Sequence, residues 1–215
     1  MNRANRQLDA ERNQLAAWLE EWAAADRLGL YAAVPAGKCA AACRAYPAAR
    51  RSRAIKPGSL RLLAPDTPAA RERPIYVAVL APAGPASWLV APFGRFATPA
   101  LPGELALRQH AIPLRVLCLW NAAVLTDARL AASYPAGRLT AAEWNAVAAL
   151  RGHLAGGTLP ASLRGRVGPA LHHPLDPRQL YIEKERAIWL ESAPAPAVDE
   201  APGLLMAAET RAPYP

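Results

Sequence analysis

The first patterned stretch of the chain runs from about Arg6 to Leu30, where Leu8, Leu15, Trp18, Leu19 and Trp22 recur at spacings of three, four and seven. That spacing puts them on one face of a helix, with Asp9, Glu11, Arg12, Glu20 and Glu21 mostly on the other. Gly29 is placed to stop it. Two tryptophans one turn apart give the stripe a large apolar area, ~150–250 Å² each. Two readings follow. The stripe packs on its own domain, as amphipathic helices usually do, or it docks in a partner's groove. In the second reading Leu15, Trp18, Leu19 and Trp22 are the partner-binding residues.

Near Gly58 the period changes. Ser59–Leu63 reads as a short strand, Ile75–Leu80 as a β-branched core strand, and Ser87–Ala91 and Leu114–Trp120 as two more. Between them lie a polar loop from Pro65 to Arg73, a turn over Ala81–Pro85, and a loop through Pro99, Pro102 and Gly103. Ile75, Val77, Val79, Leu89, Val116 and Leu119 are the expected core. Short strands with turn chemistry between them predict an α+β protein: a small, SH3-like curved β-barrel flanked by N-terminal and C-terminal helices. Behind the strands, Thr140-Ala141-Ala142-Glu143 is a capping box opening a helix through Trp144, Val147 and Leu150. Asp176-Pro177 opens another, through Leu180, Ile188 and Trp189. On this last helix Glu183, Glu185 and Glu191 lie among Lys184 and Arg186 and read as solvated charge.

The chain therefore divides into a helix and basic connector over 1–56, a barrel with its closing helix over 57–155, a helical extension over 156–192, and a tail over 193–215. The proline-alanine tail cannot bury enough surface to fold alone, so it is expected to be disordered.

Composition changes this picture in three ways. At 53% hydrophobic and 20% charged, the 215 residues exclude wholesale disorder. The 22 prolines and 13 glycines argue against a long-helix bundle. The formal charge of +8 is carried almost wholly by arginine, which suits nucleic acid or acidic protein surfaces; a GC-rich coding bias produces the same composition. Arg50, Arg51, Arg53, Arg73 and Arg95 are the candidate nucleic-acid contacts, with Phe93 and Phe96 supplying aromatic faces for single strands.

Three cysteines are too few for a disulfide framework, and Cys39 and Cys43 have no nearby histidine to complete a zinc site. No metal and no cofactor are expected. The polar N-terminus has no apolar signal region. The uncharged run from Pro74 to Gly94 is broken by Pro82, Gly84 and Pro85, so it does not read as a membrane span. The expected compartment is the cytoplasm.

One order of motifs stands out: Lys56-Pro57-Gly58, a strand, a polar loop ending Arg73-Pro74, the strand Ile75–Leu80, and a strand ending Ala91-Pro92. It continues with Leu125-Thr126-Asp127-Ala128-Arg129-Leu130, Gly137-Arg138-Leu139 and Glu143. Over roughly Pro57 to Leu154 this resembles the MazF/PemK toxin family, an SH3-like barrel. The resemblance implies a metal-independent endoribonuclease. An arginine of the Arg-Pro loop and a Ser or Thr just after the proline of the third strand then act on the scissile phosphate. Arg73 matches the first. Gly94 stands where the hydroxyl belongs, and a glycine moves no proton.

With that substitution and long extensions on both sides, the chain is similar to MazF-like proteins that hold a partner instead of cutting RNA. One such group is the anti-sigma regulators of CRISPR-linked protease systems, which accompany extracytoplasmic-function sigma factors. The expected function is a non-catalytic regulator binding a protein partner such as a sigma factor. The alternatives are an endoribonuclease toxin that uses Arg73 and an RNA-binding module. Barrels of this family commonly pair, so a homodimer is also conceivable.

Overall fold

Val77 and Val79 point one way from their strand, and Ala78 and Leu80 the other, and all four are buried. A strand apolar on both faces needs a layer on each side. The computed structural model describes residues 3–27, 54–63, 75–108, 110, 114–171 and 176–192, and it supplies both layers. Helix α1 (Arg3–Arg27) precedes strands β1 (Ser59–Leu62), β2 (Tyr76–Gly84) and β3 (Ser87–Pro92). A hairpin follows, β4 (Glu104–Ala106) with β5 (Val116–Cys118), and then a 3-10 turn over Leu119–Asn121. Strand β6 (Ala123–Thr126), helix α2 (Asp127–Ala131), strand β7 (Tyr134–Arg138) and helix α3 (Ala141–Leu154) continue the chain. A 3-10 segment over Ala161–Arg166 leads to helix α4 (Arg178–Ser192).

The fold is α+β. Five antiparallel strands are ordered β6-β3-β2-β1-β7, and β4-β5 is a separate two-stranded sheet. On one face, Leu60, Ala78, Leu80 and Ala91 meet the hairpin's Leu105 and Leu117 and α3's Val147 and Leu150. On the other, Val77, Val79 and Val90 meet Leu130 of α2 and Trp189 of α4.

The closed barrel expected from the strand spacing is not formed. Phe93 makes a single bridge to Leu117, after which the chain turns away toward Pro99 and Pro102, which have no N–H to extend a ladder. Strand β2 also runs further than expected, through Pro82 to Gly84, and the turn contracts to Pro85-Ala86. Proline is tolerated there because β1 pairs only as far as Ala78, leaving β3 as the neighbour. The expected strand Leu114–Trp120 shortens to β5 and passes into the 3-10 turn. Of the expected core, Val77, Val79, Val116 and Leu119 are buried, while Ile75 and Leu89 are half-buried. The capping box is in place, with the Thr140 hydroxyl accepting from Glu143 N at 3.3 Å.

Two buried arginines tie elements together. Arg61 of β1 donates from Nε to the Ser133 hydroxyl (2.8 Å) and from Nη2 to the carbonyls of Leu130 (3.0 Å), in the last turn of α2, and Ser133 (2.9 Å), just past its end. A cation is favoured at such a helix C-terminus. Arg178, at the start of α4, donates to the carbonyls of Ala100 (2.8 Å), Pro169 (2.8 Å) and Ala170 (3.0 Å). Among the described residues, no helix is long and apolar enough to cross a membrane.

Removing the first clamp leaves buried carbonyls without a donor, which costs about 1–3 kcal/mol. Arg61→Met is therefore expected to lower the unfolding free energy by about that amount in chemical denaturation. A change under about 0.5 kcal/mol, typical of surface substitutions, would show that the clamp does not form.

Candidate functional site

The Pro92-Phe93-Gly94 segment is held between two neighbours. Phe93 N donates to Tyr76 O at 2.9 Å and Gly94 N to Val116 O at 2.8 Å. Gly94 has no open space beside it. A Cβ built there would lie 3.0 Å from Cys118 Sγ and 3.5 Å from the Tyr181 hydroxyl, so β5 and α4 close over the position. The next residue, Arg95, pairs through Nε with Glu185 Oε1 of α4 at 3.5 Å. The adjoining groove, lined by Tyr76, Phe93, Gly94, Arg95, Asn121 and Glu185 among others, encloses about 50 Å³.

Phe96 then begins an aromatic cluster. Trp18 of α1 is 0% exposed. Its ring stacks on Trp22 at 5.5 Å and meets Tyr181 edge-on at 5.5 Å and Phe96 at 6.0 Å. Such offset and edge-on geometries are the favourable ones for aromatic rings. Lys184 Nζ sits 5.5 Å from the Trp22 ring, and the Arg186 guanidinium lies 5.9 Å from Trp120, both within cation–π range. Polar contacts fix α1 in register over the same loop. Gln14 Nε2 donates to Pro99 O (2.9 Å) and Val167 O (3.2 Å), while Glu21 accepts from Ala97 N (2.7 Å) and the Thr98 hydroxyl (2.5 Å).

Beneath the rings lies Glu104 of β4, fully buried. Its Oε2 accepts from Ala100 N at 2.5 Å and Leu101 N at 3.3 Å. Its Oε1 accepts from the Tyr181 hydroxyl at 2.8 Å, Trp120 Nε1 at 3.0 Å and, weakly, Cys118 Sγ at 3.7 Å. Burial raises the pKa of this carboxyl, the hydrogen bonds from Ala100, Trp120 and Tyr181 oppose the rise, and the nearby charge of Glu185 adds to it. The Cys118 thiol is pushed well up, by burial first and then by Glu104 and Glu185. A thiol so placed stays protonated and is no nucleophile.

The candidate residues are thus distributed unevenly. Trp18 does not offer itself to a partner; it is covered by Phe96 and Tyr181, so the reading in which the stripe packs on its own chain is the one observed. Leu15 and Trp22 are half-buried in the same cluster, and Leu19 is 38% exposed. Glu185, expected to be solvated, is buried, because α4 turns Tyr181, Glu185 and Trp189 inward at spacings of four. Arg95 is brought to the site but engaged by that carboxylate. Arg50, Arg51, Arg53, Arg73, Cys39, Cys43 and the tail 193–215 lie outside the described residues.

Sequence reading missed Glu104 and Tyr181. The available signals were a lone acid between Gly103 and Leu105, and a tyrosine one turn before Glu185. Among the described residues, no group of three His, Cys, Asp or Glu side chains is placed to hold a metal ion. No family model, curated protein or solved structure matches the chain.

Truncating a fully buried tryptophan costs about 3–5 kcal/mol, so Trp18→Ala is expected to lower the melting temperature sharply. Glu104 adds a pH signature. A carboxyl whose folded pKa is raised contributes its stability fully below the ordinary value and loses it as pH rises through the raised one. The stability difference between wild type and Glu104→Gln should therefore shrink as pH rises in a denaturation series. A difference that grows with pH would mean that the native state favours the anion.

Proposed function

We propose that the chain is a non-catalytic, MazF-like regulator that acts by binding a protein partner, with an extracytoplasmic-function sigma factor as the partner that the resemblance implies. The observation that carries this reading is the closure over Gly94. A ribonuclease of that family needs a hydroxyl at this position and an open path for the scissile phosphate. Here there is no hydroxyl, Cys118 and Tyr181 stand 3.0 and 3.5 Å from any side chain built there, and Arg95 is drawn to Glu185. Arg95, a candidate RNA contact, is thus already paired with a buried carboxylate and is less available to a phosphate backbone.

The outer face of α4 supports the partner. Leu180 (48% exposed), Ala187 and Leu190 (66% exposed) share it at spacings of seven and three. Two exposed leucines on one helix face, with exposed Glu183 between them, offer mixed apolar and acidic contact area of the kind that interfaces use.

The test has two arms. Purified full-length chain is expected to leave single-stranded RNA intact, and Gly94→Ser should lower the melting temperature without creating cleavage, because overpacking costs about 1–3 kcal/mol. The chain should bind a sigma factor of its native host, with affinity falling about tenfold, or ~1.4 kcal/mol, in Leu190→Glu. RNA cleavage that disappears in Arg73→Ala would overturn the non-catalytic reading. Binding to none of the host's sigma factors would remove that partner.

A further inference from the structure

We propose that the loop end of the β4–β5 hairpin is a phosphate-binding site built by Arg108, Arg115 and Arg166, independent of the partner reading. The backbone brings the three together. Ala106 pairs with Val116 as the last rung of the hairpin, and Leu107 N then donates to Arg115 O at 2.7 Å, so Arg115 stands opposite Leu107 and Arg108 is the next residue as the chain leaves the ladder. Leu105 bridges to Val167, which lays the preceding Arg166 along the same edge, where its Nε donates to Ala106 O at 3.0 Å.

Two conditions at Arg166 point to an anion. Its Nη2 is buried with no hydrogen-bond partner, an uncommon state for a charged donor. Its pKa is lowered, first by burial and then by the like charge of Arg108, with the attraction of Glu143 only partly opposing. Glu143 is already engaged: its Oε2 lies 3.1 Å from His110 Nε2 and 3.5 Å from the Thr140 hydroxyl. Arg115 Nη1 donates to His110 O at 3.3 Å, which keeps its guanidinium near this group. A single oxyanion beside Arg166 would give the buried donor its acceptor and separate the two like charges. Phosphate fits this need best, because a guanidinium grips it through parallel hydrogen bonds.

The phosphate group could belong to a small phosphomonoester or to a nucleic-acid backbone. Titration calorimetry of the full chain at fixed ionic strength separates them, using inorganic phosphate, 5′-AMP and a short oligouridylate as probes. Phosphate is expected to bind, with affinity falling about tenfold or more in Arg108→Gln and in Arg166→Gln. Arg151→Gln, an exposed arginine on α3, should bind as wild type does. Arg108 is exposed, so its variant should keep the wild-type melting curve and stand in for Arg166→Gln if that one unfolds. Tighter binding of 5′-AMP identifies a phosphomonoester ligand. Tighter binding of the oligouridylate, falling steeply with salt, identifies a nucleic-acid backbone. No measurable binding of any probe, or equal binding by wild type and Arg108→Gln, would overturn the site.

Discussion

The carboxylate of Glu104 sits where burial makes charge costly, and the chain surrounds it with donors from three separate places: the backbone of Ala100 and Leu101, the indole of Trp120, and the phenol of Tyr181. A buried acceptor that loses a donor costs about 1–3 kcal/mol, so each of these segments is held in position by the same group. Tyr181 sets where α4 lies. Its ring, with Phe96, forms the surface on which Trp18 packs, and so sets where α1 lies. Both helices then cover the segment after β3, and Gly94 becomes a place where a backbone fits and a side chain does not. The site is a consequence of packing around one acid.

How much of this was legible beforehand divides by distance along the chain. The α1 stripe, the β2 run and the Thr140–Glu143 cap are written in residues a few positions apart, and local periodicity finds them. The barrel does not close, because closure depends on how far a ladder continues between Phe93 and Leu117, which no local pattern encodes. Strand β4 was hidden inside a Pro/Gly loop, being only three residues long. Glu185 looked solvated because its sequence neighbours are charged, while its helical neighbours Tyr181 and Trp189 are what bury it. The Tyr181–Glu104 hydrogen bond joins residues 77 positions apart, beyond any spacing rule.

The glycine and the cover over it belong together. A hydroxyl-bearing side chain at residue 94 would press on Cys118, and a lifted α4 would leave Glu104 without Tyr181. On the proposed reading, a ribonuclease of the MazF kind would need both changes at once, whereas a binding protein needs neither. In the proposed binding role α1 and α4 are the structural frame, and among the described residues the outer leucines of α4 and the arginines at the hairpin loop are candidates for contact.

Amide hydrogen exchange at Gly94 tests this account most directly. Its N–H is bonded to Val116 O beneath the Glu104–Tyr181 contact. If β5 and α4 seal that face, Gly94 should exchange only through global unfolding, at the same free energy as the core amides of β2. Exchange at Gly94 much faster than in β2, and unchanged by denaturant at low concentration, would show that the face opens on its own and would contradict the account.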